Sequence, residues 1–492
     1  MKTRHQPLKT LSPALAGLLL LSHAAIPGLQ AGTTAAPAPA PAADKKPVSA
    51  GLLNDALRLQ NPAFDAWDIG GQFRFRYELK DDAGVVASQD FISRGVDNDN
   101  DVFLFREKLH IGWQPESWLK LYVEGRGSQA ESDDRDPSPE QDVWDLHQAY
   151  LQLGDPQLFP LTLKVGRQEM TYGDQRFVGI GDWSNTGRSF DAAVLRYSFS
   201  STSWIDAFTS RVVIPRDDYF NESNEYDQFS GLYASTQSLW TGVETQAFFL
   251  ARNVSGKSPN AIAPGIGGPT ERDVYTYGVR LKSLPDKFGP WDFAFEGAGQ
   301  FGDIVTAGVE RDLQAFALTG TVGYTLRDVW AKPRIALGYD YASGDSNGSD
   351  GDHDTFEPLF GTNHSFYGVM DLVGLRNLNS PRISFSVKPA KGLTLSVDYL
   401  LFWLADTSDS FYPESGSARS GNGYGKNPQY SSFVGSELDI VAKYAFNSAT
   451  EFQLGYGHFF PGDYIKSSVG SVPRNGGATG ADWLYVQAVF NF

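Results

Sequence analysis

The chain has 492 residues, no cysteine and a formal charge of -17. The missing thiols exclude disulfides and thiolate metal sites, and the acidity argues against nucleic acid as a partner. Aromatics reach 13% and glycines number 51, yet mean hydropathy is negative, a combination foreign to helical globular proteins.

The N-terminus reads as an export signal over residues 1–31. Lys2, Arg4 and Lys9 form a basic start, 11–21 is a short apolar core, and Leu29-Gln30-Ala31 supplies a cleavage site. The apolar core is too short to span a bilayer as a helix. Cleavage after Ala31 removes three basic residues and no acidic one, taking -17 to about -20. Residues 32–50 form an Ala/Pro-rich linker that cannot build a core. Residues 51–67 form a short periplasmic segment, in which Leu52, Leu53, Ala56, Leu57 and Leu59 make one helix face leading into the first strand.

From residue 68 to 492 strand-like stretches follow one another: 71–79, 102–113, 118–128, 143–153, 161–168, 189–199, 204–213, 228–236, 241–251, 273–283, 291–302, 312–324, 333–342, 381–389, 393–404, 435–446, 450–459 and 482–492. Most have the length of a tilted strand crossing hydrocarbon. In 71–79, Phe73, Phe75, Tyr77 and Leu79 oppose Arg74, Arg76 and Glu78. Every second connection is short, as at 114–117, 200–203, 237–240, 390–392 and 447–449. The others are mostly long. That rhythm predicts an all-β fold: a transmembrane antiparallel β-barrel of about 18 strands with short periplasmic turns and long extracellular loops. The last stretch alternates and ends on Phe492, so it should close the barrel against 71–79 and address the barrel-assembly machinery. Two residues break the pattern. Glu107 falls on the apolar parity of its strand, and Arg167 on that of Leu161, Leu163 and Val165, unless a bulge at Gly166 re-aims it.

The inner wall is where a barrel carries function. Its candidate pore-lining cations are Arg74, Arg76, Arg106, Lys108, Arg126, Arg167, Arg280, Lys282, Arg334, Arg382 and Lys443, joined by the acids Glu437 and Asp439. The wall leans basic while the loops carry the acidity, which predicts an anion-preferring pore. The competing reading pairs these charges across neighbouring strands, where they hold the wall together. Asp97, Asp99 and Asp101, and separately Asp345 and Asp350, alternate with amide residues in a way that suits calcium, although solvated acidic loops explain them as well. Beyond these, no metal site or cofactor is expected. The seven histidines show no H-x-x-x-H spacing and no G-x-S-x-G elbow occurs, so no enzyme is expected.

Specific strings go further. Gly166-Arg167-Gln168-Glu169, Tyr172-Gly173-Asp174-Gln175-Arg176 and Asp182-Trp183-Ser184-Asn185-Thr186-Gly187-Arg188 resemble the alginate-export family of outer-membrane proteins. So do 338–345, Glu437-Leu438-Asp439 with Lys443-Tyr444, and Pro461-Gly462-Asp463. The resemblance covers about residues 50–492. It implies an 18-stranded barrel whose archetype passes polyanionic alginate outward through an arginine-rich constriction, with Arg74, Arg167, Glu437, Asp439 and Lys443 in the lumen. The archetype's long periplasmic segment under the pore is missing: only Asn447-Ser448-Ala449 separates two strands here. The expectation is therefore an outer-membrane channel for anionic saccharides or related solutes, with membrane lipid around it. The alternative is a surface adhesion protein that acts through its loops.

Overall fold

Side chains alternate across a β-strand, so a strand with one apolar and one charged face must sit between two unlike surroundings. The computed structural model describes residues 51–258, 271–306, 308–364 and 366–492. The expected export signal and linker lie outside the described residues.

A helix, α1 (Leu52–Gln60), and a 3-10 turn (Pro62–Ala66) lead into the first strand. The strands are β1 (Trp67–Asp81), β2 (Asn100–Glu116), β3 (Leu119–Glu131), β4 (Asp142–Leu153), β5 (Leu161–Gln168), β6 (Phe190–Ser200), β7 (Ser203–Ile214), β8 (Glu222–Trp240), β9 (Val243–Val254), β10 (Arg272–Ser283), β11 (Trp291–Thr306), β12 (Val309–Thr325), β13 (Arg334–Ala342), β14 (Asp352–His353), β15 (Leu378–Ala390), β16 (Leu393–Leu404), β17 (Phe433–Ala445), β18 (Thr450–Pro461) and β19 (Ala481–Asn491). A second helix, α2 (Asp463–Gly470), precedes β19. Two-residue β14 pairs in parallel with β12 and stands apart from the wall. The other eighteen strands pair with their neighbours antiparallel, and β1 meets β19 to close the ring.

The closing register pairs Phe73 with Phe490, Arg74 with Val489 and Arg76 with Gln487, and Gly71 and Phe492 exchange both backbone hydrogen bonds. The chain's end thus abuts the arginines of β1, as its alternation predicts. An even strand count returns the chain to the side it started from, and closure leaves no open edge to aggregate.

Burial is inverted relative to a water-soluble protein. On β10, Tyr277 and Val279 are exposed on the outer face, while Thr276 and Arg280 are buried on the inner one. Exposed Trp118, Phe159, Phe199, Trp240, Trp330 and Phe446 all sit at the short turns or the strand ends beside them. Amphipathic rings of that kind settle at a membrane interface. Glu107 is exposed on the outer face, opposite Phe73 and Gly127, as its parity requires.

One external connection departs from the rhythm. Only 307–308 separates β11 from β12, and these two strands run to 16 and 17 residues. They form a tall hairpin in place of a loop. The long connections 169–189 and 343–377 turn into the barrel instead. Their Phe177 and Phe360 pack on the wall residues Phe248, Phe190 and Phe229, and Phe356 packs on Phe177, with ring centroids 4.9–6.2 Å apart in this group. Val178 and Phe360 also form a parallel β-bridge between the two loops. The apolar core therefore lies inside the ring. This explains why β9 carries apolar residues on both faces: Phe248 and Leu250 face the loops and Phe249 faces outward.

Candidate functional site

The site begins with β1 and β2, because their inward parity is basic. Arg74 lies opposite Arg106 in the register, so two like charges are neighbours, and acceptors must come from elsewhere. Loop 169–189 supplies them. Arg74 donates to the carbonyl oxygens of Asp182 (2.6 Å) and Ser184 (3.1 Å), and Arg76 to that of Trp183 (2.7 Å). Arg106 donates to the Asp182 carbonyl (3.0 Å) and pairs with its carboxylate (2.9 Å). Burial would raise the Asp182 carboxyl, but Arg106, Lys108 and Arg74 hold it below the usual carboxylate range. Arg76 also pairs with Glu78 (2.6 Å) and lies 3.8 Å over the Trp183 ring. That ring in turn stacks on His364 of loop 343–377.

The same loop is pinned on the opposite wall. Arg280 bridges Asp174 (2.7 Å) and Glu244 (2.9 Å), and Lys282 reaches Asp174 (2.6 Å). Burial opposes ionisation of Asp174, and hydrogen bonds from Arg280 and Lys282 overcome it and lower its pKa. Arg176 pairs with Asp340 (3.0 Å). Loop 343–377 is held by both signs of charge. Arg382 donates to the Phe366 carbonyl (2.9 Å), whereas Glu437 and Asp439 accept the backbone N–H groups of Met370 (3.0 Å) and Val369 (3.3 Å). Arg252 pairs with Asp227 (2.6 Å) and donates to the Leu359 carbonyl.

Most of the sequence-selected cations therefore face inward with a partner. Lys108 lies between Glu124 and Glu169, and Arg126 pairs with Asp142. Arg334 pairs with Asp292 and Lys443 with Glu451, toward the short-turn end of the wall. Arg167 is a correction. Gly166 has φ of +124° and a Cβ there would meet the Ala149 carbonyl at 2.2 Å, yet the registers of β5 with β4 and β6 run through it without a shift. No bulge re-aims the side chain. Arg167 keeps the parity of exposed Leu163 and Val165 and pairs with Asp191 across to β6, so the inward placement implied by resemblance does not hold.

Of the calcium candidates, Asp99 joins Asp81 and Asp82 in one exposed carboxylate group, without Asp97 or Asp101. Asp345 and Asp350 do not join a metal-sized group among the described residues. Sequence reasoning missed Arg176 and Arg188 because loop residues carry no parity. It also missed Arg252, which the alternation of Gln246, Phe248 and Leu250 continues to.

A cavity of about 350 Å³ remains beside these contacts, lined among others by Glu78, Lys80, Arg135, Trp183, Arg188 and His364. Burial brings the Arg188 guanidinium down to about 10 against the pull of Glu414.

A closed antiparallel ring with an apolar outer face, a charged interior and inward-folded loops defines the porin-like class of outer-membrane proteins. Solved structures agree in fold. Pseudomonas aeruginosa OccD3 (OpdP) superposes with a TM-score of 0.53 at 12% identity, covering 87% of this chain and 91% of that one. OccK1 (OpdK) of the same organism gives 0.53 at 11%, covering 86% and 98%, and OccK2 (OpdF), solved in complex with glucuronate, gives 0.52 at 11%, covering 87% and 96%. No curated protein matches. The model of the alginate-export family matches residues 65–478, and the chain belongs to that family. It is an outer-membrane transport channel of a Gram-negative bacterium, and its family and structural neighbours are channels, not enzymes.

Proposed function

We propose that the channel passes small anionic saccharides, such as sugar acids, by diffusion along the arginines of β1, β2 and β10. One observation carries the reading. Arg74, Arg76 and Arg106 hold a row of carbonyl oxygens and one carboxylate from loop 169–189, and a uronate offers a carboxylate and neutral hydroxyl oxygens that can take the same donors. A solute would exchange with these acceptors, bound strongly enough to enter and weakly enough to leave. Support also comes from OccK2, a fold neighbour whose structure contains glucuronate.

The strands β17 and β18 are joined by 446–449 alone, too few residues for a periplasmic gate, which favours free small solutes over a polymer. Export through residues 1–31 and insertion by the assembly machinery at the β19 end belong to the same proposal. Planar-bilayer reversal potentials under a salt gradient test it: anion preference at neutral pH, reduced in Arg106→Gln, is expected. Cation preference in the unaltered chain would end the anion reading. The adhesion alternative is disfavoured, because loops 169–189 and 343–377 use their polar groups on the lumen wall.

A further inference from the structure

Three ligand-type side chains from three consecutive strand regions meet on the lumen wall. Glu124 comes from β3, His147 from β4 and Glu169 from the residue after β5. One ring nitrogen of His147, one Glu124 oxygen and one Glu169 oxygen all lie within 4.8 Å of one another. Glu124 and His147 are buried, and His147 Nε2 is 2.9 Å from Glu169 Oε1.

The backbone is shaped to bring this about. Glu124 pairs with Gln148 and Gly125 with Leu146, so His147 is the extra residue of a β-bulge. The bulge places His147 on the same buried face as Gln148, where strict alternation would have sent it to lipid. Outer partners then fix the ligands. The Gln148 amide donates to Glu124 Oε1 (3.2 Å), its oxygen accepts the Glu169 N–H (3.3 Å), and Tyr122 OH donates to Glu124 Oε2 (2.9 Å). One glutamine thus holds the Glu124 carboxylate and the Glu169 backbone together, as outer-shell residues do around metal ions. Lys108 Nζ stands 3.8 Å from Glu124 and 3.4 Å from Glu169, holding the place of a cation between them.

We infer that Glu124, His147 and Glu169 form a site for a divalent transition-metal ion of the zinc class, with Lys108 as its built-in competitor. Imidazole beside two carboxylates is a ligand set for zinc, with a fourth position left for water. Donors around a tetrahedral ion sit about 3.4 Å apart, so the side chains need to close by only about an ångström. On binding, the Nε2 proton moves to Nδ1, freeing the Nε2 lone pair, and the Lys108 ammonium swings away still protonated. The carboxylates and Lys108 keep their charges throughout, so the ion adds two positive charges to the wall and the pore field changes with metal.

The test uses the full chain refolded in detergent, stripped with chelator and titrated with Co²⁺ as the probe. Its visible d–d absorption reports coordination, and heat-dependent gel mobility confirms a folded barrel in each variant. Saturable binding of one Co²⁺ per chain, displaced by Zn²⁺, is expected. His147→Ala and Glu169→Gln should each weaken it about tenfold or more. Lys108→Met should tighten it, a gain that a merely structural lysine would not produce. Zn²⁺ should also alter single-channel current in the unaltered chain and not in His147→Ala. No saturable absorption in either the unaltered chain or Lys108→Met, or binding indifferent to His147→Ala, would overturn the site. Selectivity without metal is read separately, so the channel reading stands or falls on its own result.

Discussion

At the residue scale, the inward arginines serve two demands at once. Each is a large charge taken out of bulk water, and each must be paid for with several oriented acceptors. Arg280 is nearly fully buried and holds both Asp174 and Glu244. Replacing it with Met leaves Glu244 without its arginine and Asp174 held by Lys282 alone, and loosens one edge of loop 169–189. A loss of roughly 1–3 kcal/mol is expected, below the value for a fully buried pair because both acids still reach water. Urea unfolding of the refolded barrel measures it, and the reversal potential should move toward cations. An unchanged midpoint and potential would mean that Arg280 does not anchor the loop.

At the element scale, the two inner loops act as one packed body. Phe360 is fully buried, with Phe190, Phe229, Arg252 and Arg188 around it. Phe360→Ala removes the centre of that packing at a cost of about 3–5 kcal/mol. Single-channel recordings should then show higher and noisier conductance, while barrel closure at β1 and β19 stays intact by gel mobility.

Loop 405–432 rests on the same body through Glu414, whose carboxyl is bonded by Asn363. Burial first, then the Asp371 charge, raises the Glu414 pKa from 4.5 to about 7, with Arg188 pulling the other way. A carboxyl raised in the folded state binds its proton more tightly folded than unfolded. Its ionisation therefore weakens loop docking as pH rises from about 4.5 to about 7, and the contact is firmest in acid. Asp174 and Asp182 are shifted down, so their ion pairs persist until pH falls through their lowered values. Between these limits, hydrogen exchange in 405–432, corrected for intrinsic rate, should slow on acidification from pH 8 to 5. Glu414→Gln should show the slow pattern at both, and a variant that keeps the full pH dependence would assign it to another group.

At the scale of the whole molecule, the ring is the rigid part and the loops set the passage. Replacing 171–187 with a short Gly/Ser linker should raise conductance severalfold and leave the barrel folded, because the wall's hydrogen bonds do not run through that loop. Anion preference should fall less than conductance rises, since Arg74, Arg76 and Arg106 remain on β1 and β2. A collapsed or unfolded product would show instead that the inner core holds the ring open.

The sequence by itself determined the ring. Alternation at period two, strand lengths matched to hydrocarbon and a short-long rhythm of connections are local properties, so 161–168 and 393–404 were legible to the residue. Parity likewise placed Arg74, Arg106, Arg280, Glu437 and Asp439 on the inner face. Only the tertiary structure decided what those side chains meet. Whether loops 169–189 and 343–377 turn inward depends on distant partners, such as Arg382 for Phe366 or Glu437 for Met370, and no local pattern encodes them. His147 shows the limit most directly. Its strand alternates on paper, but one extra residue against β3 turns it beside two glutamates, and a bulge is a property of a pair of strands, not of either one.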